Sequence, residues 1–153
     1  MILIILFSGC ISDKGNEPNE EESEPNEKEK EPIEEKKLPD LNISKNEISF
    51  KYLNATLKEG EWVNISVIVH NLGKANATNI SVRFFNDSEI ISYKNKEHIL
   101  IKEIPINESR LVWMNWVPNH SGLINITIKV YCNEIESNFT NNFASKELEV
   151  KHK

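Results

Sequence analysis

The chain has 153 residues and a formal net charge of −6, enough for one domain and little more. The charge is unevenly spread: residues 13–37 hold eleven acids and five lysines, which is the whole excess, and the rest is formally neutral. A neutral domain lacks the basic footprint of a nucleic-acid binder and any strong steering field for a charged substrate.

The chain opens with Met-Ile-Leu-Ile-Ile-Leu-Phe-Ser-Gly-Cys. An apolar run, the small pair Ser8-Gly9 and then Cys10 resemble the end of a bacterial-type lipoprotein signal, in which the cysteine is lipidated and becomes the new N-terminus. Phe7 stands where Leu or Val is commoner, and no Lys or Arg precedes the run, which a start assigned too late would account for. The run is shorter than the roughly 20 residues that span a bilayer. Residues 1–10 are therefore expected to be a signal, with Cys10 as the lipid attachment site and two chains on it giving stable anchoring.

Residues 11–38 are Glu, Lys, Asn and Pro, with Ile33 nearly alone as an apolar residue. Such a segment buries too little surface to offset its chain entropy, so it is expected to be a disordered charged tether. Pro18, Pro25 and Pro32 recur every seven residues. Proline breaks helices and no apolar seam accompanies it, so the period is that of a spacer rather than a coiled coil. Like charge and proline both favour extension.

From residue 39 to 151 the pattern changes to period two. Val63, Ile65, Val67 and Val69 share one face of a strand, with Asn64, Ser66 and His70 opposite. Ile80, Val82 and Phe84 repeat the pattern, with Asn79, Ser81 and Arg83 outward. So do Ile124, Ile126, Ile128, Val130 and Cys132, with Asn125, Thr127 and Lys129 outward. This alternation belongs to sheets with one buried and one solvated face. Weaker strands are predicted at 47–53, 89–94, 98–104, 110–117 and 143–151, separated by turn signals such as Glu59-Gly60 and Asn71-Leu72-Gly73. Seven or eight antiparallel strands at this spacing predict an all-β sandwich.

The chemistry-bearing residues do not converge. His70, His98, His120 and His152 have no metal-ligand spacing, so neither a metal nor a cofactor is expected. Cys132 sits on the inward phase of an apolar strand and reads as a small hydrophobe rather than a nucleophile. No nucleophile elbow or phosphate-cradling loop is present, so no catalytic residue is assigned. Trp116 shares the core phase with Val112 and Met114, whereas Trp113 is in the opposite phase. Trp113 and Trp62 are the candidate binding residues, because an exposed Trp stacks on a sugar or anchors a protein partner.

Several short elements occur in order: Pro39-Asp40-Leu41, Glu59-Gly60-Glu61, Asn71-Leu72-Gly73, Arg83-Phe84-Phe85, Trp116-Val117-Pro118 with Gly122, and Glu136-Ser137-Asn138 with Asn141-Asn142. As an ordered set spanning nearly all of 39–151 they resemble the CARDB family, a cell-adhesion-related domain of bacteria also present in archaea. The resemblance implies a seven-stranded immunoglobulin-like sandwich on surface or secreted proteins, without a catalytic role. That family often carries an acid where Phe139 stands and an Asp near Cys132, so no cation site built on those acids is expected. Asn138, Asn141 and Asn142 are read as turn formers, since Asn bonds nearby backbone and tolerates left-handed conformations.

Ten Asn-x-Ser/Thr triplets occur, at Asn42, Asn54, Asn64, Asn76, Asn79, Asn86, Asn107, Asn119, Asn125 and Asn138. From residue 41 there are seventeen Asn and fourteen Ser or Thr, a composition that by chance gives about two such triplets. These ten are therefore candidate N-glycosylation sites. The expected molecule is a lipid-anchored module on the extracellular face of the membrane. It is expected to act in adhesion, binding or scaffolding toward a surface protein or glycan, with no nucleic-acid partner. The alternatives are a carbohydrate-binding module that uses its Trp residues, and an accessory lipoprotein of a transporter or surface layer.

Overall fold

The computed structural model describes residues 35–153, and the signal, Cys10 and most of the tether lie outside the described residues. The compact unit runs Glu35–Lys153. Its strands are β1 (Leu41–Asn42), β2 (Ser49–Lys51), β3 (Val63–Asn71), β4 (Ala77–Asn86), β5 (Glu89–Ile90), β6 (Ile99–Ile104), β7 (Ser109–Trp116), β8 (Gly122–Tyr131) and β9 (Phe143–Val150). All strand pairs are antiparallel.

Nine segments fill seven positions in two sheets. In the first sheet, β7 covers one edge of β3, while β1 and β2 cover successive parts of the other. In the second, β5 and β6 share one edge of β4, and β8 then β9 follow on its other side. This is an immunoglobulin-like sandwich, as the turn spacing predicts.

The alternation seen in the sequence is what divides core from surface. Val63, Ile65, Val67 and Val69 are fully buried, as are Ile80, Val82 and Phe84 from the facing sheet. Ile124, Ile126, Ile128 and Val130 complete that wall, with Val112, Met114 and Trp116 opposite. Each such side chain contributes roughly 1.5–3 kcal/mol by leaving water. Leu41, Ile43, Ile48 and Leu57 also join the core, although only parts of their segment are strand.

Two local departures have backbone causes. The strand predicted at 89–94 pairs with β4 only over Glu89–Ile90, and the chain then turns back at Lys94 and Asn95, which take φ of 52° and 62°. Tyr93 N and Lys96 N each donate to the other residue's carbonyl at 3.0 Å, closing a tight turn whose centre needs two left-handed residues. In β4, Asn79 has φ 50°. The kink resets the pleat, so that Ala77 and Ile80, three apart, both face the core.

Asn tolerates that backbone and a β-branched residue does not. Asn79→Val should therefore cost about 1–2 kcal/mol, while Asn79→Gly stays within about 0.5 kcal/mol. Urea unfolding of the two variants measures the difference, and equal stabilities would remove the kink as a constraint.

Candidate functional site

The separated motif residues meet at one end of the sandwich. Asn71, at the end of β3, is fully buried and uses all four of its hydrogen-bonding positions. Its Oδ1 accepts from Asp40 N at 3.2 Å and Gly73 N at 3.1 Å. Its Nδ2 donates to Ala75 O at 2.8 Å and Ile104 O at 2.9 Å. Glu136, only 4% exposed, accepts from Leu41 N at 2.8 Å and from Asn142 Nδ2 at 2.7 Å. Asn141 Nδ2 donates to Asp40 Oδ1 at 2.8 Å. Residues 38–43 are thus bolted between the β3–β4 turn and the β8–β9 loop. Gly73 permits the crossing: a Cβ there would lie 2.4 Å from Asp40 N.

This end of the molecule is a structural clamp. Its acids are committed to internal donors, and Asn138 closes a local turn in which Oδ1 accepts from Thr140 N at 3.0 Å and Thr140 Oγ1 at 2.7 Å. Cys132 packs half-buried beside the clamp. Burial, together with the negative charge of Glu136, pushes its thiol up to about 12. A protonated thiol is a poor nucleophile and a poor metal ligand.

The histidines stay apart. His70 is half-buried with Nε2 2.7 Å from Glu47 Oε1, and His152 Nδ1 lies 3.1 Å from Glu59 Oε2. No group of three His, Cys, Asp or Glu able to hold a metal ion occurs among the described residues.

The opposite flank carries the exposed aromatics. Trp113, on the outer face of β7, is 52% exposed, and Trp62, just before β3, is 58% exposed. They do not form one platform; Tyr93 stands between them. Tyr93 meets Trp62 edge to face at 5.7 Å between ring centroids. It also lines, with Ile99, Leu111, Val112, Trp113 and Met114, an apolar hollow of about 340 Å³. Lys94 and Lys96 reach its rim. The sequence singles out both Trp residues but not Tyr93 or its lysines, whose place depends on the tight turn at Lys94-Asn95.

The ten sequon asparagines are all at least partly accessible. Asn54, Asn76, Asn79, Asn107, Asn119, Asn125 and Asn138 are exposed, and Asn42, Asn64 and Asn86 are half-buried. Three exposed or half-exposed amides are already engaged: Asn54 Nδ2 with Glu61, Asn64 Nδ2 with Asn115, and Asn76 Nδ2 with Glu103.

Two measurements test this geometry. Glu136→Gln keeps the shape but turns an amide NH2 toward one of two donors, Leu41 N or Asn142 Nδ2, so it should cost about 2–3 kcal/mol in urea unfolding. Cys132 should react with iodoacetamide at pH 8 about a hundredfold more slowly in the folded protein than after denaturation. Its raised value also fixes the sign of the alkaline response. Below the ordinary thiol value of 9.0 its contribution to stability is complete, and it is lost as pH rises from there through about 12.

A family profile, CARDB, matches residues 38–146. The CARDB domain of a Pyrococcus furiosus protein, in a crystal structure with two metal ions, superposes with a TM-score of 0.61 at 22% identity, covering 74% of this chain and 90% of that one. A domain from Methanosarcina acetivorans, of a protein named as a cell-surface protein, gives 0.53 at 16% identity, covering 74% and 93%. At these identities the likeness is one of fold. No curated protein matches the sequence. The metal ions belong to the Pyrococcus domain. In this chain Glu136 and Asp40, the acids of the clamp, accept from internal donors. With the motif order, the sandwich topology and the profile in agreement, the chain belongs to the CARDB family.

Proposed function

We propose that this chain is a non-catalytic binding module of the cell surface, acting in adhesion or as a scaffold. In this reading lipid on Cys10 holds it to the outer face of the membrane, and the acidic stretch before residue 38 spaces it outward. Membership of a family of cell-surface domains supports the location. The observation that carries the binding role is the flank where β6 and β7 end the two sheets. Each pairs along one edge only among the described residues, and the Trp113–Tyr93 hollow lies at the β7 side. An unpaired strand edge is a ready template for a partner's backbone, and large exposed aromatics are the residues that anchor interfaces. Accessible sequons away from this flank, such as Asn125 and Asn138, would carry glycans without blocking it.

One observation favours a second reading, a carbohydrate-binding module: the rings of Trp62, Tyr93 and Trp113 follow one another along the same flank.

A photo-crosslinking residue placed at Trp113 and, separately, at Asn125 on the outer face of the other sheet distinguishes a working flank from a passive one. In intact cells, position 113 should give a discrete protein adduct and position 125 should not. Equal labelling at both positions, or none at either, would remove the flank as the binding surface. The same membrane-fraction protein, read by mass spectrometry, should start at a lipidated Cys10; an unmodified Met1 would remove the anchor.

A further inference from the structure

We propose that the channel between the free edges of β6 and β7 takes an extended polypeptide strand in which acidic and apolar side chains alternate. The inference rests on the binding reading above and gives its partner a chemistry.

Two hollows adjoin along this flank. The one beside Trp113 shares Ile99, Leu111 and Val112 with a second that is lined further on by Lys102, Glu103, Pro105 and Arg110. Both walls are strand edges that pair with nothing on the channel side among the described residues. Their peptide groups there have lost neither donors nor acceptors to a ladder. β7 has eight residues, so an added strand would find a template of roughly 25 Å. An isolated apolar side chain or a sugar would use none of that hydrogen-bonding length.

The walls decide what the side chains must be. A strand laid on the edge sends alternate residues toward the inter-sheet space, where the hollow is lined by Tyr93, Ile99, Val112 and Met114. Those positions call for apolar residues. The intervening positions face the rim, which carries Lys94, Lys96 and Lys102. None of these three has a carboxylate within ion-pair distance among the described residues, whereas Arg110 is paired with Glu108. Lys94 Nζ also lies 5.3 Å from the Tyr93 ring centroid, and Glu103 on the same wall accepts from Asn76 Nδ2. The three lysines thus leave a local excess of positive charge on this rim of a domain whose acids and bases balance overall, a field suited to carboxylates. A saccharide is disfavoured by the same walls. Sugar recognition needs fixed donors and acceptors, and the hollow offers apolar side chains and two flexible lysines. The chain's own acidic stretch at 17–34 has the charge but not the alternation, since Ile33 is its only apolar residue.

The probe is a ten-residue peptide alternating Glu and Val, with Lys-Val and backbone N-methylated Glu-Val versions as controls, titrated into the full-length protein by amide NMR. Weak binding is expected, with shifts confined to β6, β7 and residues 93–96. The three-site variant Lys94→Glu/Lys96→Glu/Lys102→Glu should weaken it by about tenfold. The substituted positions are exposed, and retained amide dispersion would show that the variant folds. The Lys-Val and N-methylated peptides should not bind. Equal binding of the Lys-Val peptide, or tight binding of the N-methylated one, would overturn the acidic strand. So would salt-dependent shifts of the same amides without peptide, which would assign the channel to the chain's own acidic stretch. So would a neutral or uronic oligosaccharide that shifts them at lower concentration. If the position-113 crosslink forms in cells while the Glu-Val peptide fails, the flank is a binding surface and only its assigned chemistry is wrong.

Discussion

The sandwich depends on how one buried carboxylate and one buried amide are satisfied. Glu136 and Asn71 lie at the end where residues 38–43 enter the first sheet. A buried charge without partners is costly, and so is a buried amide with an open valence. Here both are closed by backbone groups of residues 40–41 and by the neighbouring turns. The polar groups do not merely tolerate burial. Among the described residues, Asp40 N and Leu41 N supply one bond to each of them, which helps set where β1 starts and how it meets β3. Gly73 is part of the same device, because any side chain there would push that segment away.

Holding the first strands at one flank leaves the other flank open. β1 and β2 cover the outer edge of β3, and the lead-in also contacts the β9 side: Ile43 N donates to Asn141 O at 3.1 Å, and Lys146 Nζ to Ile48 O at 2.6 Å. At the β6 and β7 edges the turn at 93–96 lines the hollow, but no strand pairs with their outer sides among the described residues. A natural sheet usually blunts a free edge with charge, and the lysines along this one fit that purpose as well as a binding role. Large exposed side chains stand beside this edge: Leu100, Leu111 and Trp113. Solvating those groups costs free energy that a partner would recover.

Strand alternation puts Asn125 outward, and turn geometry puts Asn107 and Asn119 in loops. Asn64 shows why phase alone does not decide availability: it faces outward, yet its amide is held 2.8 Å from Asn115 Oδ1 on the paired strand.

Period-two alternation made the fold class legible, because burial of one sheet face leaves its mark directly on residue order. The three clear strands, the inward phase of Trp116 and the outward phase of Trp113 all follow from it. The ordered turn motifs made the family legible for a related reason: left-handed and crossing positions restrict residue type locally. What sequence order does not carry is which distant segments meet. Asn71 and Asn142 read as turn residues and Glu136 as one member of a short motif, and only the folding of three separate loops onto one another turns them into a clamp. Tyr93 reads as part of a strand that in fact ends at Ile90, and only the folded chain brings it against Trp62 and into the hollow beside Trp113. The amino-acid sequence by itself determined which faces are buried, since that is a one-dimensional pattern. The tertiary structure decided which edges stay open and what lines them, since an edge is defined by the strand that is not beside it.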